Sequence, residues 1–365
     1  MDPTPPNAGG PQPVRPQVVP EYVIAAQPRR SGGFGRFLVF LVVLGLLGSL
    51  ALNVLLGGAS LIGLSNYESE PRVREEFFSH QRNATDKVAI LSIEGVILSG
   101  EGFFKSQIDH ALKDAKDGHL KAVVLRVNSP GGTISGSDYM LHHLRELAHE
   151  AHLPIVVSMG GVAASGGYYV SMCVGNAPET IFAEPSTWTG SIGVIIPHYN
   201  LADLMKNWGI QEDSIASGPL KEMGSFSHKI SEKELKVFEG LVSDGFTRFK
   251  NVIKQGRPKF QKDPAALDKL ATGQVYTADQ AVANGLVDKI GFIEEAVDRA
   301  IASAGLDKNN VKVVKYKAEH RLADLLFGSE SRFRGPANLA ALWEMATPQA
   351  CYLYTSLPLL LGTAK

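Results

Sequence analysis

The stretch KAVVLRVNSPGGTISGSDYMLHHLRELAHEAHLPIVVSMG (121–160) opens and closes with an apolar run of strand length, KAVVLRV (121–127) and PIVVSMG (154–160). Neither run alternates apolar with polar residues, as a strand with one wet face would. Between them Met140, Leu141, Leu144 and Leu147 keep a period near 3.6 residues, the mark of a helix with one buried face. A strand, a helix and a second strand, both strands apolar throughout, read as a parallel pair joined by a crossover helix. The pattern continues in both directions. VAILSIEGVI (88–97) precedes a helical stripe of Phe104, Ile108, Leu112 and Ala115, while TIFAE (180–184) and IGVII (192–196) supply further strand-length runs. Beyond these, Ser231 and Glu234 form a capping box ahead of a long stripe of Leu235, Phe238, Leu241, Val242, Phe246, Phe249 and Val252. Thr277 opens another helix, which Gly285 closes in the left-handed conformation open to glycine. The fold expected is therefore α/β: repeated βαβ units whose largely parallel sheet is covered on both faces.

Composition narrows the function. Lysine plus arginine (36) nearly equal aspartate plus glutamate (37), for a net charge of −1. A dedicated nucleic-acid binder would show a basic surplus, so none is expected. The two cysteines, Cys173 and Cys351, give neither a disulfide framework nor a zinc site. No motif calls for a metal or cofactor.

Residues 1–36 are rich in proline and glycine and too poor in apolar surface to fold alone, so they read as a disordered arm. Residues 37–67 hold no charge, and the run is mostly apolar up to Leu56. About 20 such residues cross a bilayer, so a retained transmembrane helix over 37–57 is expected rather than a cleaved signal peptide. Arg29, Arg30 and Arg36 precede the span and no basic residue follows it until Arg72. The positive-inside rule keeps the arm cytoplasmic and sends the rest across the inner membrane. Gly45, Ser49 and Asn53 recur on one helix face, a spacing that suits helix association in lipid or simple tolerance of small side chains. Residues 58–86 read as a linker, 87–315 as the folded domain, and 316–365 as a tail. Its apolar end, 351–362, could lie on the membrane, pack on a neighbouring subunit or enter a groove as an extended peptide; Pro358 disfavours a long helix and packing against protein is the expectation.

Three glycine-rich segments follow apolar runs: Ser129-Pro130-Gly131-Gly132, Ala164-Ser165-Gly166-Gly167 and Thr189-Gly190-Ser191. None has the spacing of a phosphate-binding loop. Ser165 stands between a strand and a helix, where its hydroxyl would be exposed at the sheet edge beside the Gly166 amide. That suits a nucleophile as well as it suits a helix cap with glycines for close packing. A serine nucleophile needs a base. His198, with Asp203 to orient it, is the nearest histidine candidate, though its turn position suits a structural role better. His142, His143, His149 and His152 flank a solvated helix face and read as surface residues; HEAH (149–152) is one residue short of the zinc-binding spacing. Lys221, in SGPLKE (217–222), is the other candidate. A lysine of ordinary basicity is neutral in only about one molecule in 10³ at pH 7, so burial must disfavour the charge before the amine can act. Without that burial it is a loop lysine.

Taken in order, VNSPGG (127–132), GGVAASGGYYVSM (160–172), TGSIGV (189–194), SGPLKE (217–222) and ANGLVDKIG (283–291) resemble the signal peptide peptidase A family, membrane-bound serine/lysine peptidases of the Clp protease/crotonase superfamily. The resemblance covers about 87–315 with one catalytic unit, as in the short form. It implies Ser165 as nucleophile, Lys221 as general base and Ser191 as the hydroxyl that orients the lysine. It further implies oxyanion-hole amides at Gly132 and Gly166. Implied partners are signal-peptide remnants and similar extended apolar peptides, membrane lipid, and copies of the same chain in a ring, with sites near subunit interfaces. A peptide docked beside a strand near Ser165 would be held by main-chain hydrogen bonds with shallow apolar pockets, so cleavage after small or apolar residues is expected. Glu222 stands where the family more often has aspartate. A silent membrane-attached scaffold of the same fold is the alternative; an acyl-CoA enzyme of the superfamily would leave the serine/lysine pair unexplained.

Overall fold

The computed structural model describes residues 37–50, 53, 72–319 and 350–353. Two compact units divide the chain, Met1–Ser69 and Glu70–Lys365. Of the first, a helix α1 over 37–50 is described, its side chains exposed. No helix among the described residues is long and apolar enough to cross a membrane, and most of the expected span beyond 50, like the arm before 37, lies outside them.

The second unit is built in the order β1 (Val73–His80), β2 (Asp86–Glu94), α2 (Phe103–Lys116), β3 (Leu120–Ser129), β4 (Gly131–Thr133), α3 (Ile134–Glu150), β5 (Ile155–Ala164) and α4 (Gly166–Ser171). There follow β6 (Ile181–Ala183), β7 (Trp188–Gly190), α5 (Ala202–Asn207), α6 (Glu232–Gly256), α7 (Lys259–Lys262) and α8 (Pro264–Leu270). Then come β8 (Val275–Thr277), α9 (Ala278–Asn284), β9 (Lys289–Ile290), α10 (Ile293–Ser303), β10 (Val311–Ala318) and β11 (Cys351–Leu353).

The main sheet runs β1-β10-β2-β3-β5-β6-β9, with β7 and β8 continuing from the far end of β5. Only β1–β10 and β7–β8 pair antiparallel in it. Period-two alternation along the central strands feeds two cores. Ala89, Leu91, Val123, Leu125, Val157 and Met159 face one, packed with residues of α2, α3, α4 and α6. Val88, Ile90, Ala122, Val124 and Val156 face the other, closed by Ala296, Val297, Ala300 and Ile301 of α10. Both faces are apolar because both are buried, as the uniform strand runs require.

Three expectations change. Residues 73–80, within the expected linker, form the edge strand β1. Its charges hid it: Glu75 is drawn towards the core by Lys87, itself 5% exposed, whose amine also donates to Asp114 Oδ2 at 2.6 Å. A buried ammonium needs such partners. Strand β10 runs past the expected domain edge at 315, paired with β1 and β2. IGVII (192–196) forms no regular strand; Ile195 makes a single antiparallel bridge, to Cys351. The α6 capping box is present, with Ser231 accepting from the Glu234 amide and Glu234 accepting from the Ser231 amide. Its stripe is nonetheless only partly covered: Phe238 is buried, but Leu235 is 47% and Leu241 49% exposed.

Candidate active site

Ser165 occupies the one residue between β5 and α4, at φ 54° and ψ −114°. A non-glycine residue in that region is strained by roughly 1–3 kcal/mol and persists only where its surroundings hold it. Here the Ser165 amide donates to the Gly190 carbonyl at 2.8 Å, and its own carbonyl accepts from the Tyr169 amide at 2.8 Å. The residue is 1% exposed, and its hydroxyl makes no capping hydrogen bond. The helix-cap reading therefore fails on geometry, leaving an uncommitted hydroxyl on a sharp strand-to-helix turn.

Around it the glycines are obligatory. A Cβ on Gly166 would stand 2.5 Å from Ser137 Oγ, 3.1 Å from Gly131 Cα and 3.2 Å from the Gly132 nitrogen. Gly131 has φ +97°, and a Cβ there would meet the Tyr352 carbonyl oxygen and lie 2.5 Å from the Gly166 nitrogen. On Gly132 it would strike the Ile97 carbonyl. The Gly132 and Gly166 backbones thus converge beside Ser165. The Gly166 amide, in the first turn of α4, has no earlier helical carbonyl to bond.

Ser191 joins this group. Strand β7 pairs with β5 in the register Ala164↔Gly190, which places Ser191 next to the residue that anchors Ser165. Ser191 is also at positive φ (48°), is 6% exposed, and donates its amide to Gln274 O at 2.8 Å.

Lys221 is not brought in. It lies in a turned segment, its amide donating to Gly218 O at 3.2 Å, and its side chain is exposed with no polar contact to Ser165 or Ser191. Glu222 lines a hollow with Met205, Ile210 and His228 that includes neither serine. His198 Nε2 lies 3.1 Å from the Ser225 carbonyl, which gives that ring a structural partner. Of the four histidines expected at the surface, His143 is buried against Tyr139 and bonded through Nδ1 to Glu146. Burial pushes the Cys173 thiol up to about 12, so it is inert.

The described part of the tail, residues 350–353, lies beside the site. Strand β11 pairs antiparallel with β4, Gly132 opposite Tyr352, and Cys351 exchanges hydrogen bonds with Ile195 at 2.9 and 3.1 Å. Its signal is faint: three residues of CYLY whose partners lie far away in sequence.

The sequence profile of peptidase family S49 matches residues 148–307, which include Ser165, Ser191 and Lys221. A curated protein of Enterococcus faecium, named as a signal peptide peptidase SppA, is 37% identical over 276 residues, 73% of this chain and 76% of that protein. The chain belongs to peptidase family S49. Protease 4 of Haemophilus influenzae is 33% identical over 67% of this chain, and the chloroplastic serine protease SPPA of Arabidopsis thaliana 29% over 68%. The chain spans only 38% and 37% of those two longer S49 relatives. It is a serine-type peptidase by this kinship, with an α/β fold and a mostly parallel sheet.

Proposed function

We propose that this S49 peptidase cuts extended apolar peptides, remnants of signal peptides among them, using Ser165 as nucleophile and Lys221 as general base. The observation that carries the reading is the strained Ser165 turn, its hydroxyl uncommitted beside Ser191 and the Gly132 and Gly166 backbones. Ser165 Oγ attacks the peptide carbonyl carbon as its proton passes to the lysine amine. The two glycine amides take up the negative charge on the oxygen, a contribution of about 3 kcal/mol per donor in comparable sites. The lysine returns the proton to the leaving amine, and water then releases the acyl group.

The exposed Lys221 side chain sets the condition for this chemistry. A second copy of the chain supplies the amine, so that the site forms where subunits meet. The open apolar residues Leu235, Leu241, Trp208 and Phe226 suit such a contact. The uncharged run at 37–57 anchors the assembly in the inner membrane, the arm inside and the catalytic unit outside.

The same exposure of Lys221 is the observation that favours a silent scaffold instead. A serine-directed fluorophosphonate separates the two. Labelling of the assembled protein, lost in Ser165→Ala, is expected; an unlabelled but correctly folded assembly would favour the scaffold.

A further inference from the structure

Two glycines in a row leave the backbone at 131 and 132 unusually free, yet the donor proposed at Gly132 must point in one direction. The structure holds that peptide unit at both ends. At the far end the Ile97 amide donates to the Gly131 carbonyl at 2.8 Å, and the Thr133 amide donates to the Ile97 carbonyl at 2.8 Å, the pattern of a parallel bridge between Ile97 and Gly132. In a trans peptide the carbonyl and the N–H that follows it point opposite ways. With the Gly131 oxygen on Ile97, the Gly132 N–H is therefore turned to the opposite edge of the segment. At the near end Ser129 Oγ accepts from the Gly131 amide at 3.1 Å, and Ser129 is wholly buried. This contact is made by a side chain, so a substitution can remove it without touching either glycine.

A serine that closes a turn on its own backbone is common in loops. Here its place gives it a further consequence. Ser129 ends β3 and pairs with Ala163, two residues before Ser165. Pro130 after it confines it to the extended conformation. A Cβ on Gly167, in the first turn of the helix that Ser165 opens, would stand 2.7 Å from the Ser129 carbonyl oxygen. A Cβ on Gly166 would stand 3.1 Å from Gly131 Cα and 3.2 Å from the Gly132 nitrogen. The Ser129 hydroxyl thus fixes the loop where the loop touches the Ser165 turn.

We propose that Ser129 is a positioning residue for the reaction: by holding the Gly131 amide, it keeps the Gly132 amide aimed at the oxygen of the attacked carbonyl. The inference rests on the proposed function, in which Ser165 is the nucleophile and Gly132 an oxyanion donor. With no exposed surface, Ser129 acts only through the loop. Without its hydroxyl the Gly131–Gly132 peptide is free to swing. The loss falls on the transition state, where the oxygen carries charge, rather than on peptide binding.

The test compares the full chain with Ser129→Ala, Ser129→Thr and Ser129→Val. Threonine keeps the acceptor, valine has threonine's shape without it, and both suit an extended residue. For Ser129→Ala and Ser129→Val, kcat on an apolar peptide should fall about 10–100-fold with KM unchanged, and Ser129→Thr should recover most of it. The rate of labelling by a fluorophosphonate, whose phosphoryl oxygen takes the place of the carbonyl oxygen, should fall in parallel. The fraction of chains labelled at completion should not change. A lower final fraction at an unchanged rate would mean that Ser129 serves folding alone and overturns the proposal, as would equal kcat in the valine and threonine variants. Should either branched side chain prevent folding, by circular dichroism, the alanine variant decides by labelling rate against final fraction. The two readings separate in the unaltered chain. Labelling at Ser165 that Ser129→Ala does not slow refutes the positioning role and leaves the proposed function standing, whereas a folded assembly that takes no label refutes both.

Discussion

The surroundings of Ser165 and those of Lys221 are built to different standards. Ser165 is buried, held at positive φ by backbone hydrogen bonds to Gly190 and Tyr169, and enclosed by glycines that tolerate no Cβ. Lys221 sits in a turn with its side chain in solvent. A fold that tolerates strain at one residue has rigid neighbours to hold it there. The proposed nucleophile and the glycine amides proposed as its oxyanion donors are pre-positioned within one chain, whereas the proposed base depends on what covers the turn.

The contrast breaks most readily at Lys221 and at the glycines around Ser165. Lys221→Ala should lower peptide turnover by at least about 10³-fold, as loss of one member of a nucleophile–base unit does, while circular dichroism and melting temperature stay as they were. A matching drop in melting temperature would mean that the turn is structural. Gly131→Ala tests the rigid half. At φ +97° and with Gly166 N 2.5 Å from the new Cβ, it should cost about 10²-fold in kcat, the effect of spoiling one oxyanion donor. Unchanged kcat would show that the glycine backbones are not part of the site.

A smaller effect probes the helix beyond Lys221. The Glu234 carboxyl is held down at about 2, chiefly by the Ser231 amide, against an ordinary 4.5. Being lowered in the folded state, it contributes stability that is whole above pH 4.5 and is lost as pH falls towards 2. Hydrogen exchange in the first turn of α6 should therefore quicken over that window relative to α3, and Glu234→Gln should flatten the difference. The smallest effect expected is that of His198→Ala, which should keep most activity, since the ring's partner is the Ser225 carbonyl.

Much of this was legible in the sequence because the central strands are apolar on both faces and the helices keep their period. Strand β1 was not. Arg74, Glu75 and Glu76 break its apolar pattern, and only the buried amine of Lys87 explains why Glu75 faces in. The α6 stripe marked an apolar face without marking what covers it, so Leu235 and Leu241 read as core. Ser165 stood out because it falls between a strand and a helix, while the roles of Ser191, Gly132 and Gly166 came only with the resemblance to the peptidase family. Strand β11 was hidden for the opposite reason: pairing with Gly131–Thr133 links residues more than two hundred positions apart, which no local pattern carries.

The measurement that bears most directly on the division between the two halves mixes Ser165→Ala with Lys221→Ala, each expected to be inactive alone, under conditions in which subunits exchange. If the base comes from a neighbouring chain, some interfaces pair an intact serine with an intact lysine, and peptide hydrolysis returns in proportion to the mixed assemblies. Mixed assemblies that form, by native mass spectrometry, yet stay inactive would contradict a shared site and require each chain to fold its own Lys221 over its own Ser165.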